Sequence, residues 1–180
     1  MTGIKADSRA RGIWLSSPVG YKGGHSPGTG GILENEDVLF PFEFHLMGTP
    51  ISLQAKSTSK ERWKIAVAEA ARLRVEESVE WAYLEPEPLA LTIYYFPTAP
   101  MGGDVDNIVK PIMDALIGVV YIDDKAVERV TVQKFEPSVD WEFATPSEQL
   151  TIALDTTSGT DGPAPVVYVH VANDLSWRRL

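Results

Sequence analysis

A chain of 180 residues has room for one ordinary domain with some length to spare, and an apolar fraction of 44% is sufficient for a hydrophobic core. The absence of cysteine excludes disulfides, a thiolate nucleophile and cysteine-ligated zinc. Sixteen lysines and arginines against 25 acidic residues give a net charge of −9, and because nucleic-acid-binding domains are usually basic, composition alone argues against such a partner.

The sequence shows neither a membrane segment nor a leader. No stretch is as long and apolar as a membrane helix, and no apolar run follows the early charges as in a secretory signal. The absence of cysteine agrees with a cytoplasmic protein, which is what we expect. Residues 1–39 are predicted to be a flexible N-terminal extension. The glycine-rich stretch within it has the composition of a linker and lacks the Gly-Lys-Ser/Thr ending of a phosphate-binding loop.

Patterns of regular secondary structure begin at residue 40. Alternating apolar residues predict a strand at residues 40–46, and a one-sided apolar pattern predicts a helix over about residues 59–83. A second alternating stretch predicts a strand at residues 89–95. A short helix is then predicted over residues 107–116.

The later part of the chain is predicted to consist mainly of strands. Residues 127–135 are rich in valine and predict one strand. The alternation of Leu150, Ile152 and Leu154 predicts another. Residues 166–171 are expected to form either a final strand or a flexible tail that reaches a partner.

The order of these elements indicates the architecture. Strands and helices alternate early and the late strands lie close together, which favours one α/β (α+β) domain with a mixed β-sheet and two principal helices packed on it. This domain is expected to cover residues 40–155. Residues 156–180 are expected to form a loop and then a C-terminal strand or tail.

Acidic residues surround the predicted short helix. Asp104 and Asp106 are two apart in a segment expected to be extended, so both carboxylates could project the same way. Lys110 lies one helical turn beyond Asp106, and Asp123 and Asp124 follow the helix. Converging carboxylates repel one another, and a divalent cation relieves that repulsion. Oxygen ligands without histidine or cysteine favour Mg²⁺ or Mn²⁺ over zinc.

Simpler interpretations of the same residues stay open. An Asp-x-Asp pair before a helix is commonly an N-cap that also interacts favourably with the helix dipole, and a tandem aspartate is typical of a turn. An EF-hand is excluded, because Ile108, Val109 and Ala115 stand where that loop needs an acid, a glycine and a glutamate.

Taken together, these residues resemble the signature of the RusA family of crossover-junction endodeoxyribonucleases. The shared pattern is Asp-x-Asp-Asn-x-x-Lys-x-x-x-Asp-Ala-Leu and then Asp-Asp-x-x-Val, and it runs from Asp104 to Val127. Weaker similarity extends over roughly residues 40–155. The resemblance implies a homodimeric, magnesium-dependent enzyme that binds branched DNA and resolves Holliday junctions (four-way junctions) by paired nicks, with Mn²⁺ as a plausible substitute.

The resemblance also implies a role for each residue of the signature. Asp104, Asp106 and Asp124 match the metal-binding aspartates of the family, and Lys110 matches its essential lysine. A bound cation would lower the pKa of a water molecule and polarise the phosphate, while Lys110 would stabilise or orient it. Asp114 matches a recurrent position, and whether it or Asp123 takes part in the site stays open.

Two further questions are left open by the sequence. A phosphate-tracking stripe is one interpretation of four basic residues near the first helix, and a solvated helix face is the other; they are Lys56, Lys60, Arg62 and Lys64. The activity itself has two alternatives: a catalytically idle RusA-like DNA- or protein-interaction module, or a metal-dependent nuclease that acts on another DNA substrate.

Overall fold

A computed structural model describes residues 40–52, 55–77, 88–101, 103–159, 162–174 and 176–178. Its elements in chain order are β1 (Phe42–Met47), α1 (Ser57–Glu77), β2 (Leu89–Phe96), α2 (Asp106–Leu116), β3 (Val127–Lys134), α3 (Glu148–Thr157) and β4 (Val166–Ala172), with short 3-10 helices at Asp124–Ala126 and Ser176–Arg178. The predicted N-terminal extension at residues 1–39 and the predicted end of the first helix near residue 83 lie outside the described residues.

The strands form a four-stranded sheet in the order β1-β4-β2-β3. β4 is antiparallel to both of its neighbours, whereas β2 and β3 are parallel, so the predicted mixed sheet is confirmed. Parallel neighbours require a crossover connection, and α2 supplies it. The candidate residues Asp104, Asp106, Lys110 and Asp124 all belong to this β2-α2-β3 connection, which therefore positions the predicted site.

The main core lies between one face of the sheet and the two helices α1 and α2. Alternate residues of β1, β2 and β4 face it, as the period of a strand requires, and each helix contributes the apolar stripe along one side. The buried contacts include Phe44, Leu91 and Val169 from the strands and Val67 and Ile112 from the helices. Burial of these side chains drives the packing, and it confirms the predicted pair of principal helices.

The C-terminal segment, predicted to be a strand or a tail, is the strand β4 (Val166–Ala172). It pairs with β1 on one side and β2 on the other, so it lies in the interior of the sheet. The described fold therefore extends beyond residue 155 to at least Ala172. None of the helices in the described part of the chain has the length and hydrophobicity needed to span a lipid bilayer.

The strand predicted around Ile152 is wrong, because residues Glu148–Thr157 form the helix α3. Ser147 caps this helix, and its hydroxyl accepts a hydrogen bond of 3.1 Å from the backbone N–H of Leu150. Leu150 and Ala153 are buried while Ile152 is exposed, so the residues that pack against the sheet are spaced as on one side of a helix. The buried side of α3 packs against a second cluster on the other face of the sheet.

Gly48 ends β1 in a conformation that fits only glycine well. Its φ is +147°, and a Cβ placed on it would lie 2.9 Å from Cζ3 of the buried Trp63 ring. We expect Gly48→Ala to lower the free energy of unfolding by about 2–4 kcal/mol, because backbone strain and overlap act together. Urea denaturation measures this loss.

Gly118 is the matched control for this change. Its φ of +72° is also unfavourable for alanine, but no atom lies within 4 Å of the Cβ position. Gly118→Ala should therefore cost only about 1 kcal/mol, from the backbone alone. Equal losses for the two variants would contradict the importance of the contact with Trp63.

Candidate active site

The segment that carries Asp104 and Asp106 is wound into the first turn of α2. Val105 has φ −65° and ψ −31°, and the N–H groups of Asn107 and Ile108 donate to the carbonyls of Asp104 and Val105, at 3.3 Å each. The predicted extended segment is therefore wrong, because residues two apart on a helix do not share a side. The N-cap alternative fails as well, since Val105 occupies the N-cap and makes no side-chain capping bond.

Both carboxylates at this end of α2 are accessible. Asp104 and Asp106 are exposed, and no ion pair involves either of them among the described residues. Asp106 lies in the first turn, where the partial positive charge of the helix N-terminus favours an acidic side chain. Their oxygens are thus available to an external cation.

Lys110 is the centre of an ion-pair network that joins α1, α2 and the turn before β3. Its Nζ lies 2.7 Å from Asp114 Oδ1 and 2.6 Å from Asp124 Oδ2. The other oxygen of Asp114, Oδ2, lies 2.7 Å from Nζ of Lys64. Cations and anions alternate along this network, which consists of Lys64, Asp114, Lys110 and Asp124.

The fold explains why these four residues meet. Lys110 and Asp114 are neighbours because they are one turn apart on α2. Lys64 reaches Asp114 because α1 and α2 pack on the same core. Asp124 arrives at the opening of the 3-10 helix through which the chain returns towards β3.

The network fixes the charge of Lys110. Hydrogen bonds to Asp114 and Asp124 raise the pKa of Lys110 above its usual value, so its ammonium stays protonated at neutral pH. For Asp114, partial burial acts to raise the pKa, but hydrogen bonds from Lys110 and Lys64 outweigh it and hold the pKa below its usual value. Lys110 is therefore suited to stabilising negative charge and not to accepting a proton.

Tyr121 lies beneath the network. It is buried, and its hydroxyl donates a hydrogen bond of 2.8 Å to the carbonyl of Met113. Burial, followed by the negative charges of Asp124 and Asp114, raises the pKa of Tyr121, so this side chain stays neutral. Its bond to α2 ties the turn that carries Asp124 to the helix that carries Lys110.

The two members of the Asp123-Asp124 pair have different surroundings. Asp123 caps the 3-10 helix, with Oδ1 accepting a hydrogen bond of 3.0 Å from the N–H of Lys125, and this bond is the main reason that the pKa of Asp123 is lowered. The turn interpretation therefore holds for Asp123. Asp124 is the member that contacts Lys110.

Divalent-cation binding at this site needs a rearrangement. Across the residues that the structure describes, no group of three or more acidic or histidine side chains is arranged to hold a metal ion. The donors nevertheless fit a hard cation in kind, since Asp104, Asp106 and Asp124 all offer carboxylate oxygens. Because Lys110 already engages Oδ2 of Asp124, a cation coordinated by all three would share that carboxylate with the ammonium.

The four basic residues predicted to bind DNA do not form one surface. Lys60 and Lys64 are partly buried and lie one turn apart on α1, whereas Arg62 is exposed and lies two residues from each of them, on a different side of the helix. Lys56 precedes the helix and is exposed. Lys64 contacts Asp114, and DNA binding by all four stays a prediction.

One contact and one residue of this site were not predicted from the sequence: the ion pair between Lys64 and Asp114, and the buried Tyr121. Lys64 and Asp114 are 50 positions apart, so their contact depends on the packing of α1 on α2. Tyr121 appeared only as part of an apolar stretch before the aspartate pair. The i, i+4 spacing of Lys110 and Asp114 was the one local signal that could have indicated their contact.

A comparison with known protein families finds one whose model matches the part of the chain that carries this site. A family model described as "Endodeoxyribonuclease RusA" matches residues 54–139. The matched interval includes α1, α2 and β3, and thus every residue of the network around Lys110. No curated protein matches the chain.

Proposed function

Residues 54–139 belong to the RusA family of endodeoxyribonucleases, and on that premise we propose that this nuclease is metal-dependent and resolves Holliday junctions by paired nicks during DNA recombination and repair in the cytoplasm. The observation that carries the proposal is Lys110, a protonated side chain held between Asp114 and Asp124 on the helix that begins with Asp106. A fixed cation beside exposed carboxylates is what hydrolysis of a phosphodiester needs.

Each side chain of the site has a distinct task in this proposal. Asp104, Asp106 and Asp124 would hold Mg²⁺, with Mn²⁺ as a substitute. When bound, the cation supplies a water of lowered pKa and polarises the phosphate. Lys110 contacts the phosphate oxygens and stabilises the negative charge that develops there, because its ammonium does not titrate in the working range.

The net charge of −9 requires the DNA to be held by local positive charge. Lys56 and Arg62 are exposed and are candidates for phosphate contacts outside the catalytic site. The divalent cation would itself offset part of the carboxylate charge where the strand is cut. DNA binding is therefore expected to depend on divalent ions more than it does in a basic nuclease.

A homodimer is part of the proposal. Resolution of a four-way junction requires nicks in two opposed strands that are related by a two-fold axis, and two copies of one site related by the same axis match them. Light scattering at micromolar concentration should show the dimer. A monomer both with and without DNA would count against paired cleavage.

The experiment that tests the function compares a four-way junction, a replication fork and a linear duplex, each end-labelled and incubated with the full chain and Mg²⁺. We expect symmetric nicks in opposed strands of the junction and little cutting of the duplex. Equal cutting of all three substrates would favour a metal-dependent nuclease of another specificity. Junction binding without any cutting would favour the idle interaction module.

A further inference from the structure

Asp114 has no task in the function proposed above, yet it makes more ion pairs than Asp124. Both of its oxygens are engaged, Oδ1 by Lys110 and Oδ2 by Lys64, each at 2.7 Å. Asp124 contributes one oxygen to the same ammonium, at 2.6 Å. The ammonium of Lys110 therefore contacts two carboxylates: Asp124, which is proposed to bind the cation, and Asp114, which has no such role.

A cation at Asp124 and the ammonium of Lys110 compete for one carboxylate. We propose that Asp114 is a positioning residue that retains Lys110 when a divalent cation binds Asp124, and that Lys64 keeps Asp114 oriented for this task. The inference rests on the proposed function. With Asp114 present, Lys110 leaves Asp124 without losing its last carboxylate partner, so the cation enters and the ammonium stays beside it.

The surroundings of the two carboxylates support this division. Lys110 and Asp114 belong to one helix, so their contact does not depend on the turn that carries Asp124. The side chain of Lys110 is 51% exposed, against 25% for Asp114 and 34% for Lys64. The side chains of Asp124 and Asp114 are about equally exposed, at 27% and 25%, so the two carboxylates differ in their connections and not in their burial. Asp114 is held by a second cation, Lys64, and shares a helix with Lys110, whereas Asp124 lies on a separate turn.

The test is a double-mutant cycle read by the affinity for Mn²⁺ alone, without DNA, measured by isothermal titration calorimetry on the full chain. Asp114→Asn should weaken Mn²⁺ binding by about three- to tenfold, because Lys110 then has only Asp124 as a carboxylate partner and competes harder for it. Lys110→Gln should strengthen Mn²⁺ binding, because the competitor is gone. The double variant should bind Mn²⁺ as Lys110→Gln does.

The cycle separates positioning from a simple charge effect. If Asp114 acts only as one more negative charge near the metal, Asp114→Asn weakens binding equally with and without Lys110, and that result overturns the proposal. Asp155→Asn, on α3 across the sheet, is the charge-matched control and should not change the affinity. Asp114→Ala gives the same comparison if circular dichroism shows that the amide variant does not fold.

Failure of the two proposals is distinguishable in this experiment. No binding of Mn²⁺ by the unaltered chain would overturn both the metal-dependent function and the positioning role. Binding of Mn²⁺ with equal losses in both backgrounds would overturn the positioning role and leave the function standing.

Discussion

Asp106→Asn should reduce cleavage of a four-way junction by several orders of magnitude while the protein remains folded. Asp106 is exposed at the first position of α2 and has no ion-pair partner among the described residues, so little of the fold depends on it. The loss of its favourable contact with the helix dipole should lower stability by only about 0.3–1 kcal/mol. The loss of a proposed cation ligand acts on the chemical step instead.

Glu148→Gln is the matched control, because Glu148 occupies the first turn of α3 as Asp106 occupies that of α2. The control should cleave normally. Asp106→Asn should keep or strengthen junction binding, since phosphate then approaches a less negative surface. Near-normal cleavage by Asp106→Asn, with its fold confirmed by circular dichroism, would show that the active site has been assigned to the wrong residues.

Removal of divalent cations should abolish cleavage. Excess chelator would remove the cation that we propose activates water, and Lys110 would stay on Asp124, so nicking of a labelled junction should fall to the background rate. Addition of Mg²⁺ or Mn²⁺ in excess of the chelator should restore it. Cleavage at full rate in chelator would exclude the metal-dependent mechanism.

Calcium should separate binding of the junction from its cleavage at the same site. Ca²⁺ accepts oxygen ligands in looser geometry than Mg²⁺, so it should occupy the carboxylates and support junction binding without cleavage. Gel-shift and cleavage assays on one preparation measure both properties. Cleavage in Ca²⁺ as fast as in Mg²⁺ would contradict the strict geometry that this mechanism requires.

The elements that were predicted well from the sequence are those whose residue pattern fits only one kind of secondary structure. Period-two alternation predicted β1 and β2, and the valine-rich composition of residues 127–135 predicted β3, each within one or two residues of its bounds. The stretch at α3 was ambiguous, because Leu150, Ile152 and Leu154 alternate while Leu150 and Ala153 also fit a helix. The cap from Ser147 and the burial of Ala153 against the sheet decide in favour of the helix.

The residues of the site could be predicted from the sequence better than their arrangement in space could. Lys110 and Asp124 do meet, but Asp104 and Asp106 are separated around the first turn of α2, because hydrogen bonds to their own segment wind it into a helix. Local residue types gave no means of choosing between these backbone conformations. The contact of Lys64 with Asp114 depends on long-range packing, which spacing along a chain does not encode.

The place of β4 in the sheet has a consequence for synthesis of the protein. Among the described strands β4 comes last in the chain, and it lies between β1 and β2, so the sheet lacks this interior strand until the segment emerges from the ribosome. Pairings between distant parts of a chain form late and slowly. A polypeptide halted anywhere upstream of residue 166 should lack the strand that joins β1 to β2, and nuclease activity should appear only after β4 has been synthesised.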